Sequence, residues 1–346
     1  MSTQQRQQGG DQSVNLQGGV VFYQGGVSAS EARTIAQDVF KANALEMAGL
    51  AQSVASERFQ YWTEMFLARL ERVSPDLFAA LKDPDIQYSL FSAQRDYARS
   101  GDEQLGESLA DLLVRRCQTD PESLTKVVLN EAISTIPKLT HAQVNLLTMI
   151  WTLTRTYEPE VTEPDHLSAL WLKVLGPLLE KLPTPRAHLE HLSYAGCLTI
   201  SNYGGSLWEL AMASYGRLFS RGVSEEDLSS PVKELWNDER FFKPCLRDPK
   251  LKRLAQQTEL ISEGTTLEEN VNFHFGNLRT NNYLMQKDFY AEMSVGFPAI
   301  EQLAELWDKS PMHLSNLSTV GIAIAHSNSR RFLGPNDDDS PLELWL

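Results

Sequence analysis

The sequence predicts a mostly α protein. The expected architecture is a multi-helix bundle with a long amino-terminal helix, a short β-prone patch ahead of it, and a small winged-helix-like module at the carboxy terminus. Three observations carry this expectation. Apolar residues recur at helical spacing through 101–151. A second helical stripe runs through 28–73. Proline, glycine and capping residues divide the remainder into segments of helical length.

Residues 1–27 are rich in Gln and Gly and poor in charge. Two short β-prone pieces lie within them, 13–17 and 20–24, separated by Gly18-Gly19. Two readings stand side by side. One is a tail without fixed structure. The other is an assembly device, because uncharged strands rich in amide side chains stack between chains. On the second reading Val14, Leu16, Val20, Val21, Phe22 and Tyr23 carry self-association.

Ser28 and Glu31 have the spacing of a capping box, and the stripe Ile35, Val39, Met47, Leu50, Val54, Trp62, Phe66, Leu70 and Val73 follows. Ser74-Pro75 stops it, and short helices are expected near 75–81 and 86–97. Leu105, Leu109, Leu112 and Leu113 mark the next helix, which ends at Thr119-Asp120-Pro121. Leu124, Val127, Val128 and Ala132 mark another, stopped by Pro137. Thr140 and Gln143 form a further capping box ahead of Val144, Leu147 and Ile150.

Pro159 and Pro164 indicate a loop over 155–164, and 166–182 reads as a buried helix broken near Gly176-Pro177. His188 and His191 share a helix face with Cys197 six residues on. Two histidines and one cysteine fall short of a four-ligand metal site, and the HExxH order is absent, so no metal or cofactor is expected. The glycine turn at 201–206 has neither a nucleophile-elbow nor a P-loop order. A helix over 207–219, a capped turn at Ser224 and Asp227, and a polar surface over 237–249 follow.

The polar stretch 262–282, which contains His274, reads as a functional or connecting loop. One or two helices are expected over 289–306, with Pro298 near the junction. A short tight helix over 317–325 uses Gly321 for close approach, and 342–345 alternates as a strand or docking tail. The expected organisation is therefore 1–27, 28–182, 183–260 and 261–346.

The net charge of −14 argues against general nucleic-acid binding, which needs clustered basic residues. The two basic clusters, Lys250-Lys252-Arg253 and Arg330-Arg331, are short and read as solvated surface. Three widely spaced cysteines without a CxxC pair suit a reducing compartment, and no run of about 20 apolar residues is present to span a membrane. Residues 1–18 do not resemble a signal peptide, so a cytoplasmic location is expected.

The run GDEQLGESLADLLVRR…LTKVVLNEAISTIPKLTHAQVNLLTMI, with Leu317-Ser-Thr-Val-Gly321-Ile-Ala-Ile-Ala near the end, resembles bacterial abortive-infection-alpha-type domains. The Gln/Gly-rich patch followed by SEARTIAQDVFKAN resembles a bacterial group that couples such a patch to a long helix. The resemblance implies an all-helical bacterial protein with a role in phage defence. It transfers no catalytic residue, and 185–290 lies outside it. Three functions follow as expectations. The first is a non-enzymatic interaction or oligomerisation protein that binds itself and a protein partner. The second is a hydrolase using His, Asp or Glu near 188–206 or 262–282. The third is a nucleic-acid-linked regulator.

Overall fold

Helices dominate the computed structural model, which describes residues 29–120, 122–180, 185–332 and 342–345. The proposed self-association residues Val14, Leu16, Val20, Val21, Phe22 and Tyr23 lie outside the described residues, as does the acidic run 337–339. The chain divides into two units, Met1–Ser56 and Glu57–Leu346. The described part of the first is helical backbone belonging to α1 (Ala29–Val73).

The second unit opens on the end of α1, where Trp62, Phe66 and Leu70 repeat every fourth residue and are fully buried. The Trp62 indole donates to the Gly106 carbonyl at 2.8 Å. A 3₁₀ turn (Pro75–Lys82) leads to α2 (Pro84–Ser100), α3 (Glu103–Gln118) and α4 (Leu124–Thr135). Each of these three helices starts on a side-chain cap, from Asp83, Asp102 and Ser123 respectively. α5 (His141–Thr154) begins with the Thr140/Gln143 capping box.

α6 (Pro164–Leu179) runs through Gly176-Pro177 instead of breaking there. The proline sits in the last turn, where little helix remains to be disrupted. α7 (Pro185–Tyr194) and β1 (Leu198–Ile200) lead to α8 (Leu207–Phe219), which starts on a Ser206/Glu209 capping box.

Residues 220–283 form a lobe whose ends are fastened together. Ser220 bridges Tyr283, and the Asn282 side chain accepts from the Ser220 hydroxyl and the Gly222 amide. β2 (Phe242–Pro244) and β3 (Lys252–Leu254) make an antiparallel hairpin inside it. α9 (Gln257–Ser262) and α10 (Glu269–Asn281) follow. Two sequence expectations change here. The stretch 237–249 is not all surface, since Phe241, Phe242 and Cys245 are buried. The 262–282 stretch is largely helical, with Phe275 inserted between Phe241 and Phe242 in a second apolar core. Its polar composition reflects a helix that buries one side chain.

α11 (Gln286–Gly296) and α12 (Ile300–Asp308) meet around Pro298. β4 (Ser315–Leu317) pairs with β1, placing Leu317 opposite Leu198. α13 (Thr319–Ser329) then passes through the main core against α3, α4 and α5. Every residue from Val320 to Ser329 is buried. A β carbon at Gly321 would overlap the Cys197 carbonyl, so glycine lets α13 seat directly on the chain at β1.

Residues 261–346 therefore do not close on themselves as a separate module. Their strand pairs with β1, and their last helix completes the core of the preceding helices. Of the two expectations for 342–345, strand or docking tail, the described residues form no strand: Leu342–Leu344 is a 3₁₀ turn, with Leu342 buried and the Trp345 ring edge-on to Trp151 at 5.5 Å. Among the described residues no helix is long and apolar enough to cross a membrane.

Candidate functional site

One face of α3 forms the floor of a cleft of about 930 Å³. Glu107, Asp111, Val114 and Gln118 line it as an i, i+4, i+7, i+11 stripe, with Ser108 and Arg115 on the adjoining row and Thr119 at the helix's C-cap. The end of α1 supplies Arg69, Arg72 and Val73, and α4 supplies Thr125 and Leu129. Ser327 of α13, with Arg330, Arg331 and Phe332 just beyond it, forms a further wall, and Leu342 and Glu343 of the carboxy-terminal turn complete the lining.

Five arginines face three carboxylates in this cleft, in a chain whose net charge is −14. Two of those carboxylates are each shared between two guanidinium groups. Asp111 accepts from Arg115 Nε and Arg330 Nη1, each at 3.2 Å. Glu107 takes Arg331 Nε at 3.4 Å and Arg69 Nη2 at 3.9 Å, while Arg69 Nη1 donates to its backbone carbonyl at 3.1 Å. Arg72 makes no ion pair among the described residues. Each carboxylate contact engages one nitrogen of each guanidinium, so among the described residues further N–H donors of Arg115 and Arg330 are unengaged. Arg115 and Asp111 are mostly covered, with side chains 13% and 18% exposed, so water screens this part of the cleft less than open surface.

A buried polar layer stands behind the arginines. Asn328 Nδ2 donates to Thr148 Oγ1 at 2.8 Å and to Asn145 Oδ1 at 3.5 Å. Arg331 Nη1 donates to Asn328 Oδ1 at 3.4 Å, which links this layer to the cleft. Beside it, Ser327 Oγ is buried with no hydrogen-bond partner among the described residues. An unmatched buried hydroxyl costs stability, so its position on a cleft wall marks it as a donor available to a ligand. Ser108 is already engaged, donating to the Gln104 carbonyl at 3.0 Å. Such an arrangement can offer an anion charge and directional N–H donors together.

The other sequence candidates have structural employment. His191 Nδ1 lies 2.8 Å from Gln143 Nε2, and the same amide donates to the His188 carbonyl at 3.2 Å, tying α7 to the start of α5. Cys197 is buried, and burial pushes its thiol up to about 11, which disfavours the thiolate a metal requires. No metal-holding group of three His, Cys, Asp or Glu occurs among the described residues. His274 is exposed on α10 with its ring against Phe273. In the 201–206 turn the Ser201 hydroxyl donates to main-chain carbonyls, and Ser206 caps α8.

Of the two basic clusters, the first is absorbed by the lobe. Lys252 lies 4.4 Å above the Trp236 ring, and Arg253 makes a two-pronged contact with Glu259 at 2.7 Å. The second, Arg330-Arg331, supplies two of the cleft's five arginines. Its composition gives no sign of this role, because its partners lie far away in the chain. The Arg330–Asp111 contact spans 219 residues.

A protein-family model matches residues 26–346, so the match begins where the Gln/Gly-rich segment ends. No curated protein and no solved structure matches the chain.

Proposed function

The chain belongs to the family whose model spans residues 26–346, and for it we propose a non-enzymatic binding role in which the arginine-lined cleft captures an anionic ligand. One observation carries the reading: Glu107 and Asp111 are each shared between two arginines, and Arg72, which makes no ion pair among the described residues, lines the same cleft. Guanidinium groups already held at fixed carboxylates lose less side-chain freedom when an anion arrives. The segment 12–24 fits the same role as an assembly element joined to the ligand-binding helices. The resemblance of 101–151 and 317–325 to abortive-infection-alpha-type domains supports placing the protein in bacterial phage defence. The spaced, buried cysteines support a cytoplasmic setting.

Titration calorimetry with inorganic triphosphate at low salt tests the binding role. The proposal expects saturable binding that weakens at least tenfold in Arg72→Ala and falls steeply with added salt. Equal affinity in wild type and Arg72→Ala contradicts it. Light scattering on full-length protein beside a chain lacking residues 1–26 tests assembly separately. Equal masses would remove 12–24 as an assembly device.

A further inference from the structure

Resting on that anion-binding reading, we infer that the ligand is hydrogen phosphate, an oxyanion that keeps one hydrogen, held in the cleft by Asp111, Arg115, Arg330 and Ser327. The Arg115–Asp111 pair is the least exposed of the ion pairs that line the cleft. Arg330 reaches the same carboxylate, and Ser327 stands three residues before it at the end of α13, a spacing that puts both on one face. Ser327 is 3% exposed, and its hydroxyl has no hydrogen-bond partner among the described residues.

Bare guanidinium groups would suit any small anion alike. This cleft sets an acceptor between its donors. Asp111 Oδ2 faces Arg115 Nε and Asp111 Oδ1 faces Arg330 Nη1, one arginine to each oxygen. A carboxylate offers about four lone-pair sites, so about two are unengaged among the described residues. The Ser327 hydroxyl can accept as well as donate. An anion that offers only lone pairs meets Asp111 as a like charge, where the cover around it limits screening by water. An anion with a hydroxyl hydrogen donates it to the carboxylate and turns that contact into a charge-assisted hydrogen bond. Its other oxygens accept from the guanidinium groups on either side.

Charge and protonation narrow the choice to one species. Five arginines against the carboxylates of Glu107, Asp111 and Glu343 leave the lining with two net positive charges. Hydrogen phosphate and sulfate are both tetrahedral dianions of similar size, and they differ by the one hydrogen. A phosphate monoester gives up its last hydrogen near about pH 6, whereas free phosphate holds one well beyond neutrality. A site that hydrogen-bonds a ligand hydroxyl rejects the analogue that lacks it, and a repulsive group sharpens the difference. Oxyanions without a hydrogen still meet the guanidinium groups and bind there more weakly.

Calorimetry on the full-length protein at about pH 8 and low salt, without divalent metal, separates this inference from the reading beneath it. The probes are inorganic phosphate, sulfate, methyl phosphate and inorganic triphosphate. The expected result is that phosphate binds at least tenfold more tightly than sulfate or methyl phosphate at matched ionic strength. Asp111→Asn replaces the carboxylate with an amide of nearly the same shape and should remove most of that preference. Ser327→Ala strips a hydroxyl that supports no other side chain, so it spares the fold, and it should weaken phosphate at least threefold. Equal affinity for phosphate and either analogue, an Asp111→Asn protein with the preference intact, or unchanged phosphate affinity in Ser327→Ala overturns the assignment. Triphosphate binding that is lost in Arg72→Ala leaves the anion site standing in each of those cases. Triphosphate that binds where phosphate does not also overturns the assignment alone. If none of the phosphate compounds binds, both readings fall.

Discussion

Asn328 and Thr148 make the most demanding test of how the core supports the cleft. Both side chains are fully buried, and Asn328 Nδ2 donates to Thr148 Oγ1 at 2.8 Å. Asn328 also donates to Asn145 Oδ1 at 3.5 Å and accepts from Arg331. Asn328→Ala removes the bond to Thr148 and leaves the Asn145 oxygen short of a donor. At about 1 kcal/mol per lost bond, plus about 1–3 kcal/mol for a stranded buried group, the cost is about 2–4 kcal/mol. Thr148→Val strands the Asn328 amide instead and costs about 1–2 kcal/mol, because the longer contact to Asn145 survives. In the double variant neither partner is left waiting for the other. Its destabilisation is therefore about 1 kcal/mol smaller than the sum of the single changes. Urea denaturation of the four proteins, compared at a common slope, measures this coupling. Additivity to within about 0.3 kcal/mol would refute the reasoning, since independent sites add to that precision. Asn328→Ala should also weaken triphosphate binding, because Arg331 loses one of its two side-chain contacts and keeps only the one to Glu107.

Three further outcomes follow from other contacts. Gly321→Ala forces a methyl group into the Cys197 carbonyl and should cost about 1–3 kcal/mol, read as a lower melting temperature; an unchanged one would show that α13 is seated differently. Burial pushes the Cys117 and Cys197 thiols up to about 11, so a disulfide reagent at pH 8 should leave both unmodified in the native protein and label them on unfolding; fast native labelling of either contradicts their burial. Hydrogen bonds from Arg116 and Asn130 hold the Asp85 carboxyl below its usual value of 3.8. A depressed folded pKa adds stability that is present above the unfolded value and lost as pH falls through the folded one. The stability difference between wild type and Asp85→Asn should therefore be constant above about pH 5 and shrink below about pH 4. A difference unchanged at pH 3 would mean that Asp85 has no such partners.

Elements with local start and stop signals were legible in the sequence. Ser74-Pro75 and the Thr140/Gln143 box mark boundaries because each acts on backbone groups within four residues. Gly321 was also legible, since a lone glycine among aliphatic residues in a helix implies close approach. The lobe was not. Its strands are three residues long, too short to show an alternating pattern, and α10 buries only Phe275. The cleft was legible only in fragments. Glu107, Asp111 and Arg115 stand at helical spacing, but Arg69, Arg330 and Arg331 join them through the fold. Arginines paired across more than 200 residues leave no local pattern, so an acidic total charge concealed a cationic site.

The central claim is that α3, α1 and the end of α13 build an anion site, and the location of a heavy oxyanion tests it most directly. Crystals of the full-length protein soaked in tungstate should show an anomalous peak within hydrogen-bond distance of Arg72, Arg115 or Arg330, and the peak should vanish in Arg72→Ala/Arg330→Ala. Tungstate bound only elsewhere, with the cleft open to solvent in the lattice, would contradict the account.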